Sequence, residues 1–302
     1  MRPTLWITGA SGCSGRFLAA HVRSLPDPPR VVGLDVREGP APDLDALHIL
    51  DLGQAAAVEQ LAAVEPPRWV IHLAGLMPPA PDEMMWRANV GGTVGLLLGL
   101  RQAGCRGIRI VSIGSAAEYS PGSTGPIPES APTGGASSYG NTKVVQSLVS
   151  REMAASAGYS AVVARTFNLI GPLLSPTLVA STLVRQFAAA GPEATIRVGN
   201  THTARDFVDV RDAVRAYWQL ALSDRVDGVY NVCSGCAVSI GHLLQLLMQV
   251  GGRTLPVESD PARVRASDPA EVCGDPSRLR QATGWQPAIP IEQSLRDMLA
   301  QA

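Results

Sequence analysis

Short apolar runs rich in β-branched residues alternate with longer stretches of helical spacing through the first half of the chain. Leu5 to Thr8 predicts a first strand and Arg16 to Ser24 a first helix. Val31 to Leu34 predicts a second strand ending at Asp35, and His48-Ile49-Leu50 a short third one ending at Asp51. Ala55 to Val64 has helical spacing, Trp69 to Leu73 is a fourth strand, and Glu83 to Ala103 is a long helix. Ile108 to Ile113 is a fifth strand; the helix Ser138 to Ala157 leads into a further strand, Ala161 to Arg165. This βαβαβ alternation predicts an α/β fold with a doubly wound parallel sheet. Crossovers in such a sheet are right-handed, and ligands sit at the carboxyl ends of the strands.

Proline-rich segments interrupt the pattern at Gly39 to Asp43, Pro78 to Asp82 and Ser120 to Gly135. The last is long for a structureless connection and lies between Ser115 and Tyr139, where it is placed to rim a site. After about residue 170 the alternation becomes irregular. Segments such as Pro172 to Pro176 and Glu258 to Pro276 predict a smaller domain of loops and short elements. The expected division is a dinucleotide-binding domain over 1–170, to which 206–235 returns, and a smaller C-terminal substrate-binding domain over 171–205 and 236–302.

Composition narrows the function classes. The 302 residues are 46% hydrophobic and 17% charged, which excludes a disordered chain and allows a large core. A net charge of -1 makes no electrostatic case for nucleic acid or an anionic membrane surface. Met1-Arg2-Pro3 runs straight into the first strand, unlike a signal peptide, and the apolar run around Val94 to Leu100 is too short to span a bilayer. A soluble, cytoplasmic protein without membrane or nucleic-acid partners is expected. The cysteines are Cys13, Cys105, Cys233, Cys236 and Cys273, an odd number that argues for reduced thiols. Cys233-Ser-Gly-Cys236 has the spacing of a redox pair or half a zinc site. No second CxxC or Cys/His pair stands at ligand spacing, so it reads as small residues in a turn and no metal is expected.

The candidate chemistry lies at three places. Gly9, Gly12 and Gly15 follow a strand and precede a helix, the context in which backbone approaches a pyrophosphate at a helix N-terminus. Asp35, at the end of the second strand, can accept hydrogen bonds from ribose hydroxyls and would repel a 2′-phosphate, which favours NAD(H). Arg37, two residues on, could instead receive the phosphate of NADP(H). Asp51 is placed to meet the adenine or to cap the next helix. Tyr139 and Lys143 stand four residues apart on one helix face, where an ammonium can favour ionisation of a phenol. Ser115, at the end of the fifth strand, can polarise a carbonyl oxygen. Serine, tyrosine and lysine together supply polariser, proton donor and pKa shifter for hydride transfer at a carbonyl or alcohol.

With these motifs the sequence resembles the extended short-chain dehydrogenase/reductase family, in its NAD-dependent epimerase/dehydratase branch. Thr8 to Gly15 is similar to the family's TGxxGxxG, and His72-Leu73-Ala74-Gly75 to its HLAA-like motif, with Gly75 in place of the usual alanine. Asn89 matches the helix asparagine, Tyr139 and Lys143 match YxxxK, and Ser115 stands four residues before Tyr119, where Ser120 replaces the usual glycine. Arg165, Asn168 and Gly171-Pro172 match RxxNxxGP, and Arg205 to Asp212 looks like the RDFxDVRD of nucleotide-sugar enzymes. Tyr230-Asn231-Val232 and Thr283 to Pro287 also look like this group. Arg265 and Asp268 resemble a late RPxD segment in which Ala266 replaces the proline.

The resemblance implies a Rossmann-like fold with cofactor contacts at Gly9, Ser11, Gly12, Cys13 and Gly15, at Asp35, Arg37, Asp51 and Leu52, and at Leu73, Ala74, Gly75, Asn89, Tyr139 and Lys143. It implies substrate contacts at Asn168, Arg205 and Arg265, although an ion pair with a neighbouring aspartate would equally explain Arg205. The likeness is strongest to nucleotide-sugar 4-ketoreductases such as GDP-4-keto-6-deoxy-D-mannose reductases. Members commonly dimerise through the two long helices; Leu96, Leu97, Leu100, Val145, Leu148 and Val149 fit either a homodimer seam or a face packed on the sheet.

The family's 4,6-dehydratases carry carboxyls directly after the residue equivalent to Ser115. Here Ala116 and Ala117 stand there, and Glu118, one position later, would point to the opposite side of an extended segment. Dehydration is therefore disfavoured. Reduction of a 4-keto sugar needs only hydride, Tyr139, Lys143 and Ser115. A 4-epimerase with bound NAD needs the same set plus room to rotate its intermediate, and a non-catalytic dinucleotide sensor is the remaining alternative.

Overall fold

In the computed structural model, which describes residues 2–122, 125–191, 194–223, 226–264 and 269–302, the predicted alternation becomes a seven-stranded parallel sheet. Its strands are β1 (Thr4–Thr8), β2 (Arg30–Asp35), β3 (Ala46–Ile49), β4 (Trp69–His72), β5 (Arg109–Ser115), β6 (Ser160–Thr166) and β7 (Gly228–Val232). They lie in the order β7-β6-β5-β4-β1-β2-β3. β1 therefore neighbours both β2 and β4, and the crevice at this reversal opens at the carboxyl ends of β1, β4 and β5. Strands covered on both faces read as unbroken apolar runs rather than alternating ones, and every residue of β1 is buried.

Helices α1 (Cys13–Arg23) and α5 (Val210–Leu222) cover one face, where Leu18, Val22, Val214 and Trp218 join the core with Leu5 and Ile7. Helices α2 (Ala55–Val64), α3 (Gly92–Gln102) and α4 (Ser138–Ser156) cover the other, over Trp6, Val32 and Val70. The long helix expected over Glu83 to Ala103 forms over residues 82–102, with a π-turn inside it. A helical turn at Asp82–Trp86 runs through a π-turn at Arg87–Gly91 before α3 begins. The extra residue of a π-turn re-aims the side chains around it, and Asn89 within this one is fully buried.

The second part was expected to be loops and short elements. A small sheet joins it to the first part, in the order Ala237–Ser239, Ala204–Asp209, Glu271–Gly274, Pro126–Ile127, with Asn168–Ile170 beside Ala204–Asp209. The second part also contains the helices Val179–Ala189, Ile240–Gly251 and Ile291–Leu299, with their own core of Leu183, Phe187, Leu243, Leu247 and Leu295. Between the proline-rich linkers, the stripe Ile240, Leu243, Leu244 and Leu247 has the helical spacing of the second of these helices. No helix among the described residues is long and apolar enough to cross a membrane.

Candidate active site

A cleft of about 760 Å³ opens at the carboxyl ends of the central strands. The glycine loop forms one wall. A Cβ on Gly15 would fall 2.6 Å from the Gly9 carbonyl oxygen, so loop and helix can close this tightly only with glycine there. Gly12 is the N-cap of α1 and brings no side-chain cap, which leaves the first-turn N–H groups for an anion. Gly9, Ser11, Gly12, Cys13 and Gly15 all line the cleft. This cradle fits the pyrophosphate of a dinucleotide. The Cys13 thiol donates to the Pro172 carbonyl at 3.5 Å, and burial pushes it up to about 12, so it stays neutral.

Other predicted cofactor residues stand behind this wall. The Asp35 carboxylate accepts the N–H groups of Ser11 at 2.9 Å and Val36 at 2.8 Å, while the Arg37 side chain reaches the cleft. Asp51 accepts the Gly53 N–H at 2.9 Å and pairs with Arg87 at 3.3 Å; Leu52 is buried among the residues under α3. Leu73 and Gly75 line the cleft, whereas the Ala74 N–H donates to Thr8 Oγ1 at 3.1 Å. Asn89 Oδ1 accepts the Leu76 N–H at 2.6 Å, and its Nδ2 donates to the Leu76 carbonyl and to Thr142 Oγ1, both at 2.9 Å. It ties the loop after β4 to the helix that carries Lys143.

Ser115, Tyr139 and Lys143 meet at the cleft floor. Ser137 caps α4 by accepting the Gly140 N–H at 3.1 Å. A Cβ on Gly140 would lie 2.4 Å from the Ala117 carbonyl oxygen, so this glycine lets the start of α4 press against the turn that follows Ser115. Burial raises the Tyr139 phenol above its ordinary value; a hydrogen bond with the Ser115 side chain opposes this, and the Glu118 charge adds to it. Burial lowers the Lys143 ammonium to about 8, with the Glu118 charge opposing. Lys143 Nζ donates to the Ile113 carbonyl at 2.6 Å and to Gln146 Oε1. Desolvation, not the ammonium, sets the direction for this phenol, which stays protonated at neutral pH.

The remaining wall carries Asn168 and Phe207, which face each other in register across neighbouring strands. Arg205 stands outside the cleft lining; its Nη1 donates to the carbonyls of Ala204 at 2.7 Å and Pro269 at 3.0 Å. Arg265 and Asp268 lie outside the described residues. Thr166 and Tyr217 line the cleft without any signal in the sequence. Tyr217 on α5 shares a 2.8 Å hydrogen bond with Thr166, which pairs in register with Ser115. Only the strand register brings Thr166 beside Ser115, and no spacing marks Tyr217. Gln146, one helical turn past Lys143, was legible in principle.

Among the described lining residues the charged ones are Arg16, Arg37 and Lys143, with no carboxylate, a balance that suits polyanionic ligands. Cys233 is buried and Cys236 exposed in a turn that Asp206 organises by accepting the N–H groups of Ser234 at 2.7 Å and Gly235 at 2.9 Å. No group of three or more potential metal ligands gathers among the described residues.

Residues 5–233 match the model of the NAD dependent epimerase/dehydratase family. The chain is 32% identical to GDP-6-deoxy-D-mannose reductase of Pseudomonas aeruginosa over 99% of its own length and 97% of that protein. The structure of RMD from Pseudomonas aeruginosa complexed with NADPH superposes with a TM-score of 0.86 at 31% identity, covering 99% of this chain and 98% of that one. MoeE5 in complex with UDP-glucuronic acid and NAD also gives a TM-score of 0.86, at 26% identity and 98% coverage of both chains.

Proposed function

The chain belongs to the NAD dependent epimerase/dehydratase family, and from that premise we propose that it reduces the 4-keto group of a nucleotide-activated 4-keto-6-deoxyhexose, a step of deoxysugar biosynthesis. One observation carries this reading. Ser115 and Tyr139 face the cleft together, and the residues after Ser115 that line it are Ala116 and Ala117. The site can deliver a proton to a carbonyl oxygen and has no carboxyl there to eliminate water.

A dinucleotide held by the Gly9–Gly15 loop would, when bound, supply the hydride for C4. Ser115 donates to the 4-keto oxygen and orients it. Tyr139, protonated at neutral pH, gives that oxygen its proton as the alcohol forms. Lys143 stabilises the phenolate left behind and holds the nicotinamide ribose. Asn168 meets the substrate diphosphate, with Arg205 and Arg265 as further contacts from the smaller part of the chain, 171–205 and 236–302.

The cofactor is NAD(H) or NADP(H). Asp35 favours NAD(H): each of its oxygens accepts one backbone N–H and keeps a lone pair for a ribose hydroxyl. Arg37 lines the cleft and supports NADP(H) instead; the RMD structure binds NADPH and the MoeE5 structure NAD, so both reductants enter the test. A homodimer seam over α4 is supported by Leu148, 57% exposed on its outer face. Five free thiols support a reducing, cytoplasmic setting.

The test incubates the protein with NADPH or NADH and GDP- or dTDP-4-keto-6-deoxy sugars, following nicotinamide absorbance and the product by NMR. Cofactor oxidation equal to the C4 alcohol formed is expected. Interconversion of C4 epimers with no net cofactor consumption would make the chain a 4-epimerase. Dinucleotide binding without any turnover would make it a sensor.

A further inference from the structure

Glu118 is fully buried beside the proposed site, and no step above uses it. Its position is one residue later than the carboxyl that would eliminate water, and its side chain turns away from the cleft. Oε1 accepts the Ser115 N–H at 2.8 Å, while Ser115 Oγ accepts the Ala117 N–H at 3.2 Å. These two bonds make a reciprocal capping box around the turn Ala116–Glu118. Oε2 accepts Arg165 Nε at 2.8 Å. Arg165 comes from β6, in register with Gly114 of β5, and its guanidinium lies 4.8 Å from the centre of the Tyr119 ring. A Cβ on Gly114 would fall 2.3 Å from Glu118 Oε1, so the carboxylate occupies the space a side chain there would need.

From this geometry we infer that Glu118 is a positioning residue that aims the Ser115 hydroxyl at the substrate carbonyl. The inference rests on the ketoreductase reading of the site. The carboxylate has one oxygen committed to Ser115 and the other to Arg165, which fixes its plane. The capping box takes a lone pair of Ser115 Oγ for the Ala117 N–H. The hydroxyl proton is then left to point out of the turn, toward the cleft that Ser115 and Tyr139 share. A simple surface cap would achieve the turn without a buried ion pair, whose desolvation an apolar pair avoids. What the buried pair adds is a single orientation.

Two double variants isolate the bond to Ser115. Glu118→Gln with Arg165→Met keeps an acceptor for the Ser115 N–H, and Glu118→Leu with Arg165→Met removes it. Both lose the ion pair, so effects on folding largely cancel, and melting temperatures check this. The Leu/Met variant is expected to have a kcat at least about tenfold below the Gln/Met variant, as for a misplaced reacting group. The KM for the keto sugar and NADPH affinity, read by cofactor fluorescence, should stay within about twofold between the two. Equal kcat values in the two variants would overturn the inference alone. A wild-type protein that oxidises no cofactor would overturn the parent reading and this inference with it.

Discussion

Helices α3 and α4 lie side by side on one face of the sheet, yet they bury opposite kinds of residue. α3 buries Leu96, Leu97 and Leu100, with Gly95 and Gly99 pressed against α2 so closely that a Cβ would stand 2.1 Å from the Leu52 carbonyl oxygen and 2.5 Å from that of Ala55. α4 buries Thr142, Lys143, Gln146, Ser147 and Ser150 and turns Leu148 outward. Its inner face is held by polar contacts, such as Ser150 Oγ to Ser112 Oγ at 3.0 Å, and Gln146 Nε2 and Ser147 Oγ have no partner among the described residues. Unpaired buried polar atoms are costly. One helix therefore serves the core, and the other gives up part of its packing to hold a phenol and an ammonium at the cleft floor.

The sharpest way to break this contrast is to exchange the consequences of substitution. Leu97→Ala on α3 should cost about 2–5 kcal/mol in chemical denaturation while kcat of the folded protein stays near wild type. Lys143→Met on α4 should do the reverse: turnover falls by about 10²-fold or more, and stability does not fall, because a desolvated ammonium leaves the interior. A large stability loss in the Lys143 variant would make α4 an ordinary core helix.

A weaker effect follows from pH. Lys143 is charged below about 8 and neutral above it. The kcat/KM for ketone reduction should therefore fall as pH rises through about 8, by roughly tenfold per unit. Tyr139, raised above its ordinary value, stays protonated over that range. The Lys143→Met variant should lack this limb. The smallest change is expected from Leu148→Ser on the outer face of α4. Stability of the fold should move by no more than about 0.5 kcal/mol, while light scattering should show a homodimer giving way to monomer.

The same contrast shows what the sequence could reveal. Leu96, Leu97 and Leu100 fitted either a sheet-facing stripe or a dimer seam, and they prove to face the sheet; Val145, Leu148 and Val149 fitted the same two roles, but Leu148 faces out. The polar stripe on α4 has no apolar periodicity to mark it as buried. Gly9, Gly12, Gly15, Tyr139 and Lys143 were readable because their spacing is local. Thr166 and Tyr217 were not, because they reach Ser115 and each other only through strand register and helix packing. The inward turn of Glu118 was half legible. Its exclusion from the cleft was expected from an extended segment, but the segment is a helical turn, and Arg165 is what holds the carboxylate away.

Whether the inner face of α4 serves proton transfer is decided by Tyr139→Phe. The measurement pairs single-turnover oxidation of NADPH by a 4-keto-6-deoxy sugar nucleotide with cofactor affinity read by fluorescence. The rate should fall by about 10²–10⁴-fold with affinity unchanged. A rate within a few-fold of wild type at the same affinity would contradict it.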